Sequence, residues 1–125
     1  MTNYRTQPNR TVNLGSAPPE IVWTVVKGDT ASFRVYVYDD EKNPIDLSEW
    51  NLAVDFYRPD TEETVISITP EVTEEDEVGS FTVFLGSSES DQLETDDEFD
   101  IQISNDTVVW TVGMGTMVMI GDITD

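Results

Sequence analysis

Between Lys27 and Trp50 the chain restricts its own fold more than anywhere else. Phe33, Val35 and Val37 alternate with Arg34, Tyr36 and Tyr38, the period of two that turns one side of a strand to a core and the other outward. A helix would space its apolar positions about every three to four residues instead. Gly28-Asp29 opens the segment and 39–44 (DDEKNP) closes it, both rich in residues that favour turns. Nothing in the segment is equipped for chemistry.

The same pattern recurs on both sides of this segment. Ile21, Trp23 and Val25 alternate with Val22, Thr24 and Val26, a strand apolar on both faces. Trp50, Leu52, Val54 and Phe56 define a third strand, ended by Pro59-Asp60. Residues 65–68 make a short fourth, placed at a sheet edge by the nearby Pro70. Phe81, Val83 and Leu85 face inward in a fifth, and Phe99, Ile101 and Ile103 in a sixth. Between these two, residues 87–93 form the one plausible helical turn, capped by Ser87 or Ser88, with Leu93 tucked into the core. Asn105-Asp106 signals a tight turn, after which Val108, Trp110 and Val112 align in a returning strand. Gly113-Met114-Gly115 interrupts as a bulge or kink before a last segment, 116–120. Seven or eight short strands at roughly ten-residue spacing predict an all-β, antiparallel β-sandwich or small barrel, residues 21–125.

Residues 1–20 read differently, as an extended N-terminal arm. Pro8, Pro18 and Pro19 break regular structure, and Tyr4, Val12 and Leu14 are too few for a core. Charge divides at the same place. The arm's only charges are Arg5 and Arg10 up to Pro19, a net of +2, while the remaining residues hold four basic and 26 acidic ones, a net of −22. This balance argues against direct nucleic-acid binding by the body and against attraction to anionic lipid. The field instead serves solubility or selects a basic partner surface or divalent cations.

The chain has no cysteine and no histidine, which removes thiol nucleophiles, disulfides, Cys/His zinc sites and the commonest general base. No apolar run approaches the roughly 20 residues that cross a bilayer. The N-terminal residues lack a signal-peptide core, so the expectation is a soluble product of a reducing cytoplasm.

Four features are candidates for function. The acidic runs 74–77 and 96–98, with Asp100, lack the alternate ligand spacing and glycine of a calcium loop, and read first as solvated loops. Tyr36, Tyr38 and Tyr57, near Arg34 and Arg58, read as sheet-surface packing, a protein interface or a sugar platform. Met114, Met117 and Met119 lie on a segment whose other face is Val118 and Ile120, either a core strand or an adaptable interface. Paired carboxylates for glycoside hydrolysis occur by chance in so acidic a chain, and no nucleophile elbow or phosphate-cradling loop accompanies them. No enzyme, cofactor or metal is expected.

Some of these residues also carry a resemblance. Gly28-Asp29-Thr30-Ala31-Ser32-Phe33, then Val35-Tyr36-Val37, then Asn43-Pro44-Ile45-Asp46-Leu47, resemble the immunoglobulin-like domains of tailed-bacteriophage virion structural proteins. The turn glycine usual in that family is replaced here by the longer Asp40-Glu41-Lys42-Asn43. Phe99-Asp100-Ile101-Gln102-Ile103 and Gly115-Thr116-Met117-Val118 extend the similarity, which spans about residues 25–120. The resemblance implies an immunoglobulin-like β-sandwich without catalytic residues, found in baseplate, tail and head-accessory proteins. It also implies partners among other virion proteins, in many copies or as a homo-oligomer, with host polysaccharide as an occasional ligand. Standing alone with an arm, the module is expected to be a small capsid, neck or tail accessory protein of the virion, made in the host cytoplasm. Tyr4, Arg5, Arg10, Val12 and Leu14 of the arm, Tyr36, Tyr38 and Tyr57, and Met117 and Met119 are the expected partner contacts. The alternative is a carbohydrate-binding adhesin built on the three tyrosines.

Overall fold

A computed structural model describes residues 10–13, 19–39, 41–73 and 76–121, the first of these segments by its backbone alone. Eight strands and one helical turn follow in order: β1 (Arg10–Asn13), β2 (Glu20–Val26), β3 (Ala31–Tyr38), β4 (Asn51–Arg58), β5 (Glu63–Ile68), β6 (Ser80–Leu85), α1 (Ser87–Ser90), β7 (Glu98–Ser104) and β8 (Val109–Ile120). They form two sheets, β1-β3-β6 and β2-β8-β7-β4-β5, facing each other as an all-β sandwich.

Period-two alternation decides which side chains meet between the sheets. From the smaller sheet come Phe33, Val35, Val37, Phe81, Val83 and Leu85, and from the larger Ile21, Trp23, Leu52, Val54, Phe56, Phe99, Ile101 and Ile103, all buried. Burying each such side chain stabilises the fold by about 1.5–3 kcal/mol relative to leaving it exposed. Trp23 ties the two layers together. Its ring meets Phe33 of the opposite sheet edge to face at 4.7 Å, and it lies 6.1 Å from Phe99 and 6.5 Å from Phe56 of its own sheet. Offset and edge-on ring contacts of this kind add about 0.5–1.5 kcal/mol beyond area burial.

Two turns place the strands. Gly28 sits at φ 86°, where a side chain would be strained, and the Asp29 amide donates to Val26 O at 3.0 Å. Ser90 of α1 locks that turn, its Oγ accepting from the Gly28 amide at 3.0 Å and donating to Asp29 O at 2.7 Å. At the other end of β3, the Asp39 carboxylate accepts from the amides of Glu41 and Asn43 at 2.8 and 2.9 Å, and Leu47 drops into the core. The α1 N-cap is Gly86, whose amide donates to the Glu89 carboxylate at 2.7 Å, so neither Ser87 nor Ser88 caps the turn. Leu93 is fully buried as expected.

Three features depart from the purely antiparallel expectation. β1 runs parallel to β3, and β2 runs parallel to β8. Both pairings join segments far apart in sequence, so no hairpin turn announces them. Next, the two segments expected on either side of Gly113-Met114-Gly115 are one continuous strand, β8. Its register against β7 shifts where Ile101 pairs with Gly113 and Gln102 with Thr111, leaving Val112 as the extra residue. Finally, one described stretch within the expected arm pairs with the body. Arg10–Asn13 already belongs to the smaller sheet, and β2 starts at Glu20.

Candidate docking surfaces

An open groove of about 580 Å³ crosses the outer face of the five-stranded sheet, and the strand register builds it. Val22, Thr116, Glu98, Tyr57 and Thr64 align across β2-β8-β7-β4-β5, and Glu20, Met114, Asp100, Asp55 and Ser67 make the next row. Glu20, Asp55, Glu62, Glu98 and Asp100 all line the groove, and among its described lining residues none is basic. Val22, Tyr57 and Met114 add exposed apolar surface.

Asp100 is the unusual member. It stands directly opposite Asp55, its Oδ1 is shut from solvent, and that oxygen accepts no hydrogen bond. Burial, and secondarily the charge of Asp55, push its carboxyl above the usual aspartate range. Asp55 has a partner, since Ser67 Oγ donates to it at 2.6 Å.

Asp97, three residues earlier, is placed in the opposite way. It is buried, and Arg58 grips it through Nε and Nη2, both at 2.9 Å. The Glu94 amide donates to Asp97 Oδ2 at 2.8 Å, and Arg58 Nη2 also reaches Gln92 O at 3.1 Å. Asp97 therefore fastens the loop before β7 to the end of β4. The sequence run 96–98 reads first as solvated acid and second as a cation site, and nothing in it signals Arg58, which lies 39 residues away along the chain. Among the described residues no three acidic groups converge as metal ligands, and Glu74 and Glu75 lie outside the described residues.

The expected partner residues are dispersed. Tyr36 and Tyr38 stand on β3 with their neighbours Val35 and Val37 in the core, so they face outward from the smaller sheet. Tyr57 faces outward from the larger one, in the groove. The three tyrosines lie on opposite outsides of the sandwich and form no common platform, because β3 and β4 belong to different sheets. Met117 is fully buried and packs in the core, which removes it as a surface contact. Met119 is half-buried against that core, while Met114 is the methionine that opens to the surface. Tyr4, Arg5 and Leu14 lie outside the described residues, and Arg10 and Val12 are placed by backbone only.

Sequence reasoning missed a second aromatic surface. Trp110, which aligns with Val108 and Val112 in the sequence pattern, stacks on Trp50 at 5.2 Å and 24° and is 39% exposed, whereas Val112 is buried. Alternation alone predicts a face, not how far the core extends along it.

No protein-family model matches the chain, and no curated protein sequence matches it. Among solved structures, the N-terminal domain of phage TP901-1 ORF48 has a similar fold, with a TM-score of 0.57 and 6% sequence identity. The match covers 91% of this chain and 98% of that one. At that identity the likeness defines a fold and nothing finer.

Proposed function

We propose that this chain is a structural component of a tailed-phage virion, present in many copies or as a homo-oligomer. It acts as a small acidic accessory or decoration protein without catalytic activity, and docks on a capsid, neck or tail subunit through its N-terminal arm and a sheet edge. The observation that carries this reading is the fold shared with a phage protein domain over nearly the whole of both chains. The immunoglobulin-like motifs of the phage virion family, at Gly28–Phe33 and Asn43–Leu47, point the same way.

Mechanistically, the role needs a chain that binds without chemistry. A short arm strand bonded through main-chain groups suits β-strand addition, which tolerates many side chains. The acidic outer groove suits a basic partner surface and repels other copies of the same body. Deleting residues 2–19 is expected to abolish incorporation into particles, measured by quantitative mass spectrometry of purified virions. Incorporation at the level of the intact chain would overturn the docking role.

A further inference from the structure

The outer face of the five-stranded sheet sets like charges against one another. Asp55 and Asp100 stand directly opposite on β4 and β7, and Glu98 shares the outward face of β7 with Asp100. Glu20 extends the same row on the far side of Met114. Like charges directly opposite on a sheet destabilise it. Among the described residues no cation answers them. Arg58, beside Tyr57 in the chain, is held by Asp97 and Glu94, and none of the described groove-lining residues is basic.

The groove is also more than a charged surface. Val22, Tyr57 and Met114 expose apolar area within the same 580 Å³. A bare divalent ion would leave that area in water, and no three acidic groups converge as metal ligands among the described residues. An occupant that suits both parts carries positive charge and apolar side chains together. A second copy of the body does not. Its basic residues are Lys27, Arg34, Lys42 and Arg58, of which Arg34 and Arg58 already pair with Asp76 and Asp97, and 26 acidic residues accompany them. Arg10 of the arm belongs to a strand of the other sheet.

We propose that this groove seats a basic, otherwise apolar segment of a partner protein. Arginine or lysine side chains of that segment lie over the Asp55–Asp100 pair, and its apolar side chains cover Val22, Tyr57 and Met114. This inference rests on the assembly role proposed above and names the chemistry of the partner at this face. A cation over the pair relieves the repulsion that the empty sheet carries, so binding gains where the free chain is strained. Arginine suits the site better than lysine, because its planar fork bridges carboxylates and stacks on an aromatic ring such as Tyr57. The same charges speed encounter with a basic partner and exclude acidic ones.

The test uses the full-length, isotope-labelled chain and a blocked short peptide of alternating arginine and leucine, titrated by NMR at fixed ionic strength. Shifts are expected to concentrate at Val22, Tyr57, Glu98 and Asp100. Asp55→Asn combined with Asp100→Asn is expected to weaken binding about tenfold, the loss of roughly 1.4 kcal/mol of charge coupling. Glu49→Gln combined with Asp106→Asn removes the same formal charge from exposed turns and is expected to change affinity less than about twofold. If the first double variant folds poorly, Glu20→Gln with Glu98→Gln repeats the test at exposed positions of the groove. Equal weakening by the turn variant overturns the inference, since the attraction would then belong to the whole body. So does equal affinity for a peptide of alternating arginine and serine, which would leave the apolar area without a role. Tenfold tighter binding after deletion of residues 2–9 would make the arm the occupant, and self-association abolished by Asp55→Asn with Asp100→Asn would make it a second copy; either result overturns the inference. If the groove fails in any of these ways while deletion of residues 2–19 still abolishes incorporation, the assembly role stands and docking uses another face.

Discussion

Asp97 and Asp100 lie three residues apart, yet the fold treats them in opposite ways. Asp97 is buried with a bidentate guanidinium and a backbone amide on its oxygens. Asp100 is half-buried with one oxygen unpaired and a second carboxylate across the strand pair. Composition counts them equally among 26 acidic residues. Their energetic signs differ because burial of a carboxylate is favourable only when its oxygens are satisfied. One fastens a corner of the sheet, and the other leaves the groove under electrostatic tension.

Removing the satisfied partner should have the largest effect. Asp97→Ala is expected to cost about 3 kcal/mol in chemical denaturation, because it strips the Glu94 amide of its acceptor and leaves Arg58 with only the exposed Glu94 carboxylate and the Gln92 carbonyl. Loss of less than about a third of that would place the corner's stability elsewhere. Arg58→Lys should lower the melting temperature by a smaller amount, since an ammonium cannot reproduce the two parallel hydrogen bonds to Asp97. An unchanged melting temperature would reduce the contact to simple charge pairing.

At Asp100 the sign should reverse. Asp100→Asn removes like-charge opposition to Asp55, and a gain of about 0.5 kcal/mol is expected at neutral pH, kept small by solvent screening. Destabilisation by this change would erase the contrast between the two residues. The pH dependence gives the finest discrimination. The folded carboxyl of Asp100 titrates above its unfolded counterpart, so the native chain holds a proton that the unfolded chain has released. Stability contributed by that protonated form is present at low pH and is lost as pH rises through the raised value. The advantage of Asp100→Asn should therefore be full at neutral pH and vanish below the ordinary aspartate value of 3.8. An advantage constant with pH would indicate a packing change instead.

Alternation made much of the sandwich legible in the sequence. Phe33, Val35 and Val37, the triplet Phe81, Val83 and Leu85, and the triplet Phe99, Ile101 and Ile103 are all buried where a period of two puts them. Pro70 correctly marks β5 as an edge strand. What alternation cannot encode is which strands become neighbours. The β2–β8 and β1–β3 pairings are parallel and non-local, so no turn residue records them. For the same reason Tyr36 and Tyr57 looked like companions and lie on opposite sheets. Met117 illustrates a second limit. A strand apolar on both faces does not say which face is covered by its own domain, and here the answer depends on the Val112 bulge and the packing above it.

The parallel seam between β2 and β8 also sets the order in which the molecule can form. Trp23, which joins the two sheet layers, sits on a strand whose hydrogen-bonding partner comes about ninety residues later. On the ribosome, β2 and its aromatic core must wait until nearly all the described chain has emerged. Loop closure over such a separation is entropically costly, and folds dominated by distant pairings form slowly. A dense negative charge distributed along the waiting segments keeps nascent copies apart during that interval, so the acidity that shapes the finished surface also protects the unfinished chain.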